Sequence, residues 1–508
     1  MRVHLHICEK SCKFARFYEI CIMKKAILTI LFPVLLAGMS RTCAENIGVP
    51  AECEDVMLQA FYWDSYKTQT STDSKYGRTK WVDLLKDTAA INASFDLVWF
   101  PPSAKGGGVG YTPQQMSSQD SDWGTKQKLN QLIEALHAGN TRVIADIVVN
   151  HRGNQSSWCN FWVDNFGEYG TYQLTADHIC QNDEVNSTSS AGSCKGAATG
   201  ANDTGTNFEG ARDLDHSSTF VQDWVKAYTK WMLDVMKYDG FRYDMTRGYR
   251  GAYLSMYNEA ANPYLSVSEY WESLSNTVSH LKAVNYNTMV FDFPLKYSLS
   301  GISSSSYGKL NKEKTLDGLR KKGLERYSVT FIDNHDTFER SDNQGGEFIG
   351  YNVDLGNAAN KNKILQANAY ILMMPGIPCV FWPHWKKYQS EINELIAVRK
   401  LAGIHSESAV SEENSAQNMY TATIHGHRGS VVLRLGSNRS TEVPEGYELA
   451  VEGGDRGAYT LFIKKGAQGI DEVNGEKGNV KGEKFMRDGK LFIRHGENIY
   501  DILGNRIL

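Results

Sequence analysis

From about residue 55 the chain alternates short apolar runs with stretches whose apolar residues recur every three or four positions. The runs VMLQAFYW (56–63), DLVWFPP (96–102), RVIADIVVN (142–150) and GFRYD (240–244) have the length and composition of strands. LSVSEY (265–270), TMVFDF (288–293), SVTFIDNH (328–335) and PCVFW (378–382) extend the series to eight. Their apolar character is continuous, which suits parallel strands covered on both faces. Between them lie helical patterns such as KQKLNQLIEALHAG. Another is FVQDWVKAYTKWMLDVM, in which Phe220, Trp224, Val225, Tyr228, Met232 and Val235 share a helical spacing. Eight strands interleaved with helices predict an α/β protein built on a (β/α)8 TIM barrel. A doubly wound open sheet is the competitor, because alternation alone does not close a barrel.

Two regions break the rhythm. Some sixty residues rich in Gly, Ser, Asn, Asp and Thr separate the third strand from the helix near Ser217. Such an excursion is usually functional or a subdomain, and 151–216 reads as a small domain inserted after strand three. Past about residue 407 the pattern changes to period two. MYTATIHG, SVVLRLG, YELAVEG and AYTLFIKK, separated by Gly and Asn turns, predict a C-terminal antiparallel β domain over 407–465. The barrel then occupies 45–150 and 217–406, and 466–508 is a linker with a short tail containing small hairpins.

Composition narrows the partners. Lys+Arg 54 against Asp+Glu 58 gives a formal net charge of -4, which argues against a general nucleic-acid binder. Residues 23–44, MKKAILTILFPVLLAGMSRTCA, carry two lysines, a short apolar run and then small residues. They read as a secretory signal peptide cleaved after Ala44, with Met23 as an alternative start. The run is too short for a confident transmembrane helix, and no later segment spans a membrane. A secreted monomer is expected. Five cysteines follow the cleavage point: Cys53, Cys159, Cys180, Cys194 and Cys379. Export permits disulfides, and a bridge among Cys159, Cys180 and Cys194 is the reasonable expectation.

Polar residues cluster where the predicted strands end. Asp146, Asn150 and His151 close strand three, Arg242 and Asp244 strand four, Glu269 strand five, and Asp333, Asn334, His335 and Asp336 strand seven. Barrel active sites form at these strand ends. In GFRYD, alternation puts Arg242 and Asp244 on one side and Phe241 and Tyr243 on the other. A buried arginine there serves either a structural ion pair or a carboxylate held ionised as a nucleophile. Crowding and burial would keep Glu269 protonated as an acid. Two carboxyl groups with split roles are what retaining glycoside hydrolysis requires. A lone strand-end acid is more often a turn or cap residue, so the weight rests on the joint placement.

Taken together, ADIVVNH, GFRYDMTRGY, SVSEYW and FIDNHDT resemble, in order, four segments of the α-amylase superfamily of glycoside hydrolases. The resemblance is to the plant-like α-amylases and covers about 55 to 465. It implies Asp244 as nucleophile, Glu269 as general acid/base, and Asp336 as the carboxylate that positions substrate hydroxyls. It implies Arg242 as the partner of the nucleophile, and His151, His335, Tyr111 and Trp271 as substrate-binding residues. It also implies Ca²⁺ between barrel and insert, with Asn150, Asp203, Asp213 and the carbonyl of Gly248 as ligands. The chain departs from the pattern at Met245 and Thr246, at Phe381–Trp385, and in the Gly-rich loop KGGGVG. The implied activity is endo-hydrolysis of α-1,4-glucosidic bonds in starch or glycogen. The alternatives are an α-glucan transglycosylase or oligosaccharide hydrolase using the same carboxylates, and a non-catalytic glycan-binding protein.

Overall fold

Eight parallel strands close on themselves in sequence order. They are β1 (Met57–Gln59), β2 (Leu97–Trp99), β3 (Arg142–Ile147), β4 (Gly240–Tyr243), β5 (Leu265–Ser268), β6 (Met289–Phe291), β7 (Ser328–Phe331) and β8 (Ile377–Phe381). The computed structural model describes residues 47–67, 76–340, 358–454, 458–466, 483–487, 490–495 and 498–501. Each predicted apolar run coincides with one strand, β8 beginning one residue earlier than its run, and pairing of β1 with β8 seals the barrel and excludes the open sheet. The strands are three to six residues long, shorter than the apolar runs, because each run continues into a buried loop at the strand's C-terminal end.

Helices α1 (Trp81–Ser94), α2 (Lys126–His137), α3 (Thr219–Asp234), α4 (Gly251–Ala261), α5 (Leu274–Ala283), α6 (Ala358–Met373) and α7 (Gln389–Ala402) lie between or after the strands. Helix α2 begins where the Thr125 side chain accepts the Lys128 N–H, and it buries Leu129, Leu132, Ile133 and Leu136. Helix α3 buries Trp224, Val225, Tyr228 and Met232 as its spacing predicts. Phe220 and Val235 depart from that expectation, at 37% and 44% exposed. Val235 is the C-cap, and Phe220 stacks on His178 of the 151–216 excursion at 4.6 Å instead of entering the barrel core.

Residues 151–216 fold as short strand pairs and 3-10 turns. His151–Arg152 pairs antiparallel with Arg212–Asp213, which returns the excursion to its starting point. A fully buried ion pair, Arg152 to Asp164 at 3.0 Å, ties it to the barrel, since Asp164 also accepts the Trp224 indole N–H from α3. Cys159 and Cys194 form the disulfide, while Cys180 is a buried free thiol.

The C-terminal antiparallel sheet has five strands: β9 (Ala409–Ala416), β10 (Met419–His425), β11 (Ser430–Leu435), β12 (Tyr447–Gly453) and β13 (Tyr459–Lys464). They run in the order β9-β10-β11-β13-β12. The edge strand β9 (AVSEENSA) was not expected, because its Ser, Glu and Asn side chains carry no strand signal. Further on, β14 (Glu483–Arg487), β15 (Lys490–His495) and β16 (Asn498–Asp501) form a three-stranded antiparallel sheet. The expected signal peptide over 1–44 and the linker after 466 lie outside the described residues.

Candidate active site

The parallel register sets Arg242 of β4 beside Asp146 of β3, so both side chains enter the barrel. The Arg242 guanidinium, 1% exposed, then binds three carboxylates. Nη1 donates to Asp146 at 2.8 Å and Asp244 at 2.7 Å, and Nη2 meets Glu269 at 3.0 Å. One cation among three acids leaves excess negative charge in a buried site, which is tolerated only if one or more acids hold a proton.

The acids differ in what else surrounds them. Burial pushes the Asp244 carboxyl up, while Arg242 and a hydrogen bond shared with Glu269 pull it back. Burial raises Glu269 too; Arg242 and the Met245 N–H pull it back, while the neighbouring Asp244 adds to the rise. Both carboxyls are therefore raised, and the pair can share one proton between them. Glu269 Oε2 is held by the Met245 backbone N–H at 2.8 Å. That N–H is aimed by a left-handed Met245 (φ 43°), a strained conformation directly after Asp244. Asp336, the third acid, lies 3.3 Å from His335 Nε2 and 3.4 Å from Arg340. Burial and the charges of Glu269 and Asp244 push it up to about 7.

Around the acids lies a wall of rings. Tyr111 stacks on His335 at 5.0 Å and 8°, and Trp63 lies nearly parallel to both. Tyr111 donates its hydroxyl to Asp146 at 2.8 Å, and Trp99 donates its indole N–H to the same oxygen at 3.1 Å. His335 is kept neutral by burial and the nearby arginines, with Nδ1 against the Gln59 amide at 3.0 Å. His151 is buried beside Tyr111 and Asn150. Its Nε2 meets the Tyr111 carbonyl at 2.8 Å, its Nδ1 lies 3.3 Å from the Asn150 amide, and Phe208 covers the ring. Trp271 stands further out, stacked on Phe293 and donating to the Tyr297 hydroxyl. With Met245, Arg247 and Glu269 it lines an open cavity of about 250 Å³.

The four residues considered as cation ligands also gather. Asn150 donates to Asp213 at 3.1 Å, and its Oδ1 sits where a Cβ on Gly248 would stand, so position 248 has room only for glycine. A Cβ on Gly205, two residues after Asp203, would likewise collide with the Arg247 and Gly248 carbonyls. Asp203 Oδ2 is buried with no hydrogen-bond partner, and Asp203 lies against Asp213. An orphaned carboxylate oxygen, a second acid, a carboxamide and a backbone carbonyl form an all-oxygen donor set suited to a hard cation such as Ca²⁺.

Trp63, Trp99, Asp146 and Arg340 complete the site, yet the sequence reading gave them no role. Asp146 was visible as a strand-end acid, and its pairing with Arg242 required the β3–β4 register. Trp63 follows β1 with no motif around it. Arg340, whose guanidinium lies 3.3 Å from the Trp63 ring centroid, comes from a loop four residues beyond Asp336.

A closed parallel barrel that presents three acids, an arginine and a ring platform at its strand ends has the build of a glycoside hydrolase. The alpha amylase catalytic-domain profile matches residues 92–383, more than half of the chain, and the chain belongs to that family of glycoside hydrolases. It is 29% identical over 422 residues to probable alpha-amylase 2 of Arabidopsis thaliana, covering 78% of this chain and 92% of the relative. It is also 29% identical over 428 residues to the chloroplastic alpha-amylase 3 of the same plant, covering 79% of this chain but only 43% of that longer protein. Among solved structures, an alpha-amylase from Malbranchea cinnamomea superposes with a TM-score of 0.56 at 16% identity, over 82% of this chain and 97% of its own. That last likeness concerns the fold.

Proposed function

We propose that the protein is a secreted, endo-acting enzyme that hydrolyses internal α-1,4-glucosidic bonds of starch, glycogen and related maltooligosaccharides with retention of configuration. The observation that carries this reading is the shared guanidinium. Asp244 and Glu269 contact the same Arg242 and each other, which favours the short carboxyl separation of retaining enzymes over the wider gap that admits a water. Asp244 attacks the anomeric carbon and forms a covalent glycosyl-enzyme, while Glu269 gives its proton to the departing oxygen. Glu269, now ionised, then takes a proton from water as that water releases the sugar. Asp336 holds substrate hydroxyls, and the protons its raised affinity retains limit repulsion before substrate binds. Tyr111, His335 and Trp63 form the face on which the sugar ring rests, and Trp271 extends contact along the glucan. His151 shapes the site through the Tyr111 carbonyl.

Asn150, Asp203, Asp213 and Gly248 would hold Ca²⁺, which supplies the charge needed to keep two buried acids ionised where the 151–216 excursion rejoins the barrel. Because Asn150 and His151 are adjacent, the ion would brace the catalytic mouth without touching substrate. The excursion is read as an inserted domain, and 407–465 as a C-terminal domain.

The test is a product time course on amylose, maltotriose and pullulan, with the anomeric form of fresh products followed by NMR. Internal cleavage giving α-anomers supports the proposal. Products longer than the substrate would point to glycosyl transfer, and starch affinity without new reducing ends to a binding protein. Fresh β-anomers would contradict retention.

A further inference from the structure

At the opposite end of the barrel from the acids, three chain segments far apart in sequence bring ligand-type side chains together. Glu52 precedes β1, His405 follows α7, and His427 sits in the turn between β10 and β11. Ligand atoms of all three lie within 4.8 Å of one another. We propose that Glu52, His405 and His427 form a second metal site, for a borderline divalent transition ion such as Zn²⁺, that staples the N-terminal face of the barrel to the C-terminal sheet.

The arrangement has the features of a built site. His427 Nδ1 lies 3.3 Å from Glu54 Oε1, and Glu54 is itself gripped by Arg428 through both carboxylate oxygens. A carboxylate on Nδ1 fixes the proton there and leaves the Nε2 lone pair free. That Nε2 faces Glu52 Oε2 at 3.7 Å. The His405 and His427 rings stack at 4.1 Å, and His405 Nδ1 accepts the Glu407 N–H at 3.3 Å, so its Nε2 is the nitrogen left to bind. The exposed His427 ring must turn out of the stack for both in-plane lone pairs to meet one ion.

The backbone around the cluster is pinned independently of any ion. Glu52 N–H donates to the Glu407 carboxylate at 2.7 Å, and Ser406 N–H to the Cys53 carbonyl at 2.8 Å. His427 N–H donates to the Gly403 carbonyl at 3.0 Å, and Arg428 N–H to that of Ala402 at 3.0 Å. Ligand atoms on a tetrahedral zinc are about 3.3 Å apart, so atoms that lie up to 4.8 Å apart here must close in by side-chain rotation. Glu52 and His427, with side chains 61% and 42% exposed, can rotate in this way. Two imidazoles and one carboxylate select Zn²⁺, Co²⁺, Ni²⁺ or Cu²⁺ over Ca²⁺, which takes oxygen ligands. The remaining positions stay open to water or to Glu407.

The experiment titrates Zn²⁺ into the calcium-saturated full chain by calorimetry, for wild type, His427→Ala and Glu52→Gln. The expected result is one Zn²⁺ per chain in the wild type. Loss of a ligand, or loss of the orienting carboxylate in Glu54→Gln, should weaken binding by about 10-fold or more. Zn²⁺ should raise the unfolding temperature of the wild type and not of His427→Ala, while starch cleavage by His427→Ala matches wild type. A wild type that takes up no Zn²⁺ would overturn the proposal. So would His427→Ala and Glu52→Gln variants that bind it with unchanged affinity.

Discussion

Replacing Arg242 with lysine tests how one cation divides the labour among three acids. The guanidinium uses two nitrogens, with Nη1 on Asp146 and Asp244 and Nη2 on Glu269, each within 3.0 Å. A lysine ammonium is a single point on a shorter stem and cannot occupy both positions. The contact at risk with Asp244 is charge-assisted and contributes about 1.5–3 kcal/mol to the ionised form. Losing it pushes the Asp244 carboxyl up, by an energy that corresponds to about 10- to 100-fold in its ionised fraction. In the proposed mechanism Asp244 must be ionised to attack, so the acid limb of kcat/KM against pH should move to higher pH. On that limb, activity at fixed pH falls about 10- to 100-fold. The assay is kcat/KM on a blocked chromogenic maltooligosaccharide from pH 4 to 8, with circular dichroism at each pH to separate lost chemistry from lost fold. A folded Arg242→Lys enzyme with an unmoved acid limb and activity within twofold of wild type would refute the reasoning.

Other consequences can be measured separately. Chelation should lower the unfolding temperature, and Asp203→Asn should shrink the difference between calcium and chelator; equal differences in both proteins would remove Asp203 from the site. Reducing the Cys159–Cys194 bridge, which spans a sequence separation of 35, should lower stability by about 3–4 kcal/mol in urea titrations, and an unchanged midpoint would contradict that. Buried His280 stays neutral in the fold down to about 3, whereas an unfolded histidine takes a proton near 6.5. The unfolded state therefore binds more protons between these values, and wild type loses stability as pH falls through that window. Relative to His280→Asn the loss should approach about 1.4 kcal/mol per pH unit, and a stability gap independent of pH would exclude it. Trp63→Ala should raise KM for maltooligosaccharides about 10-fold with a smaller change in kcat, because a ring face contributes about 1 kcal/mol or more to packing; an unchanged KM would place the sugar elsewhere.

The barrel was legible because its strands are buried on both faces and so read as unbroken apolar runs. The C-terminal sheet was partly legible. Four of its strands bury enough aliphatic residues to show, whereas β9 buries only one of its eight positions and reads as loop. Asp244 and Glu269 could be placed because each directly follows its strand, whereas Asp336 lies in the loop five residues past β7 and was singled out by the FIDNHDT segment. What escaped depended on neighbours distant in sequence. The function of Asp146 exists only through the β3–β4 register, and Trp63 joins Tyr111 and His335 only after the barrel closes. His151, expected from its motif to bind substrate, also has partners that only the fold reveals: the Tyr111 carbonyl on Nε2 and the Asn150 amide beside Nδ1. Phe220 kept its helical spacing and still turned outward, because the 151–216 excursion offers His178 as a stacking partner.

The most direct measurement is to trap the glycosyl-enzyme. A maltosyl fluoride should be incubated with the Glu269→Gln variant, which retains Asp244 but lacks the group that activates water, and the digest read by mass spectrometry. One glycosyl unit on the peptide containing Asp244, absent in Asp244→Asn, is the expected result. An adduct on Asp336 instead, or none from a folded variant that still releases fluoride, would contradict nucleophilic attack by Asp244.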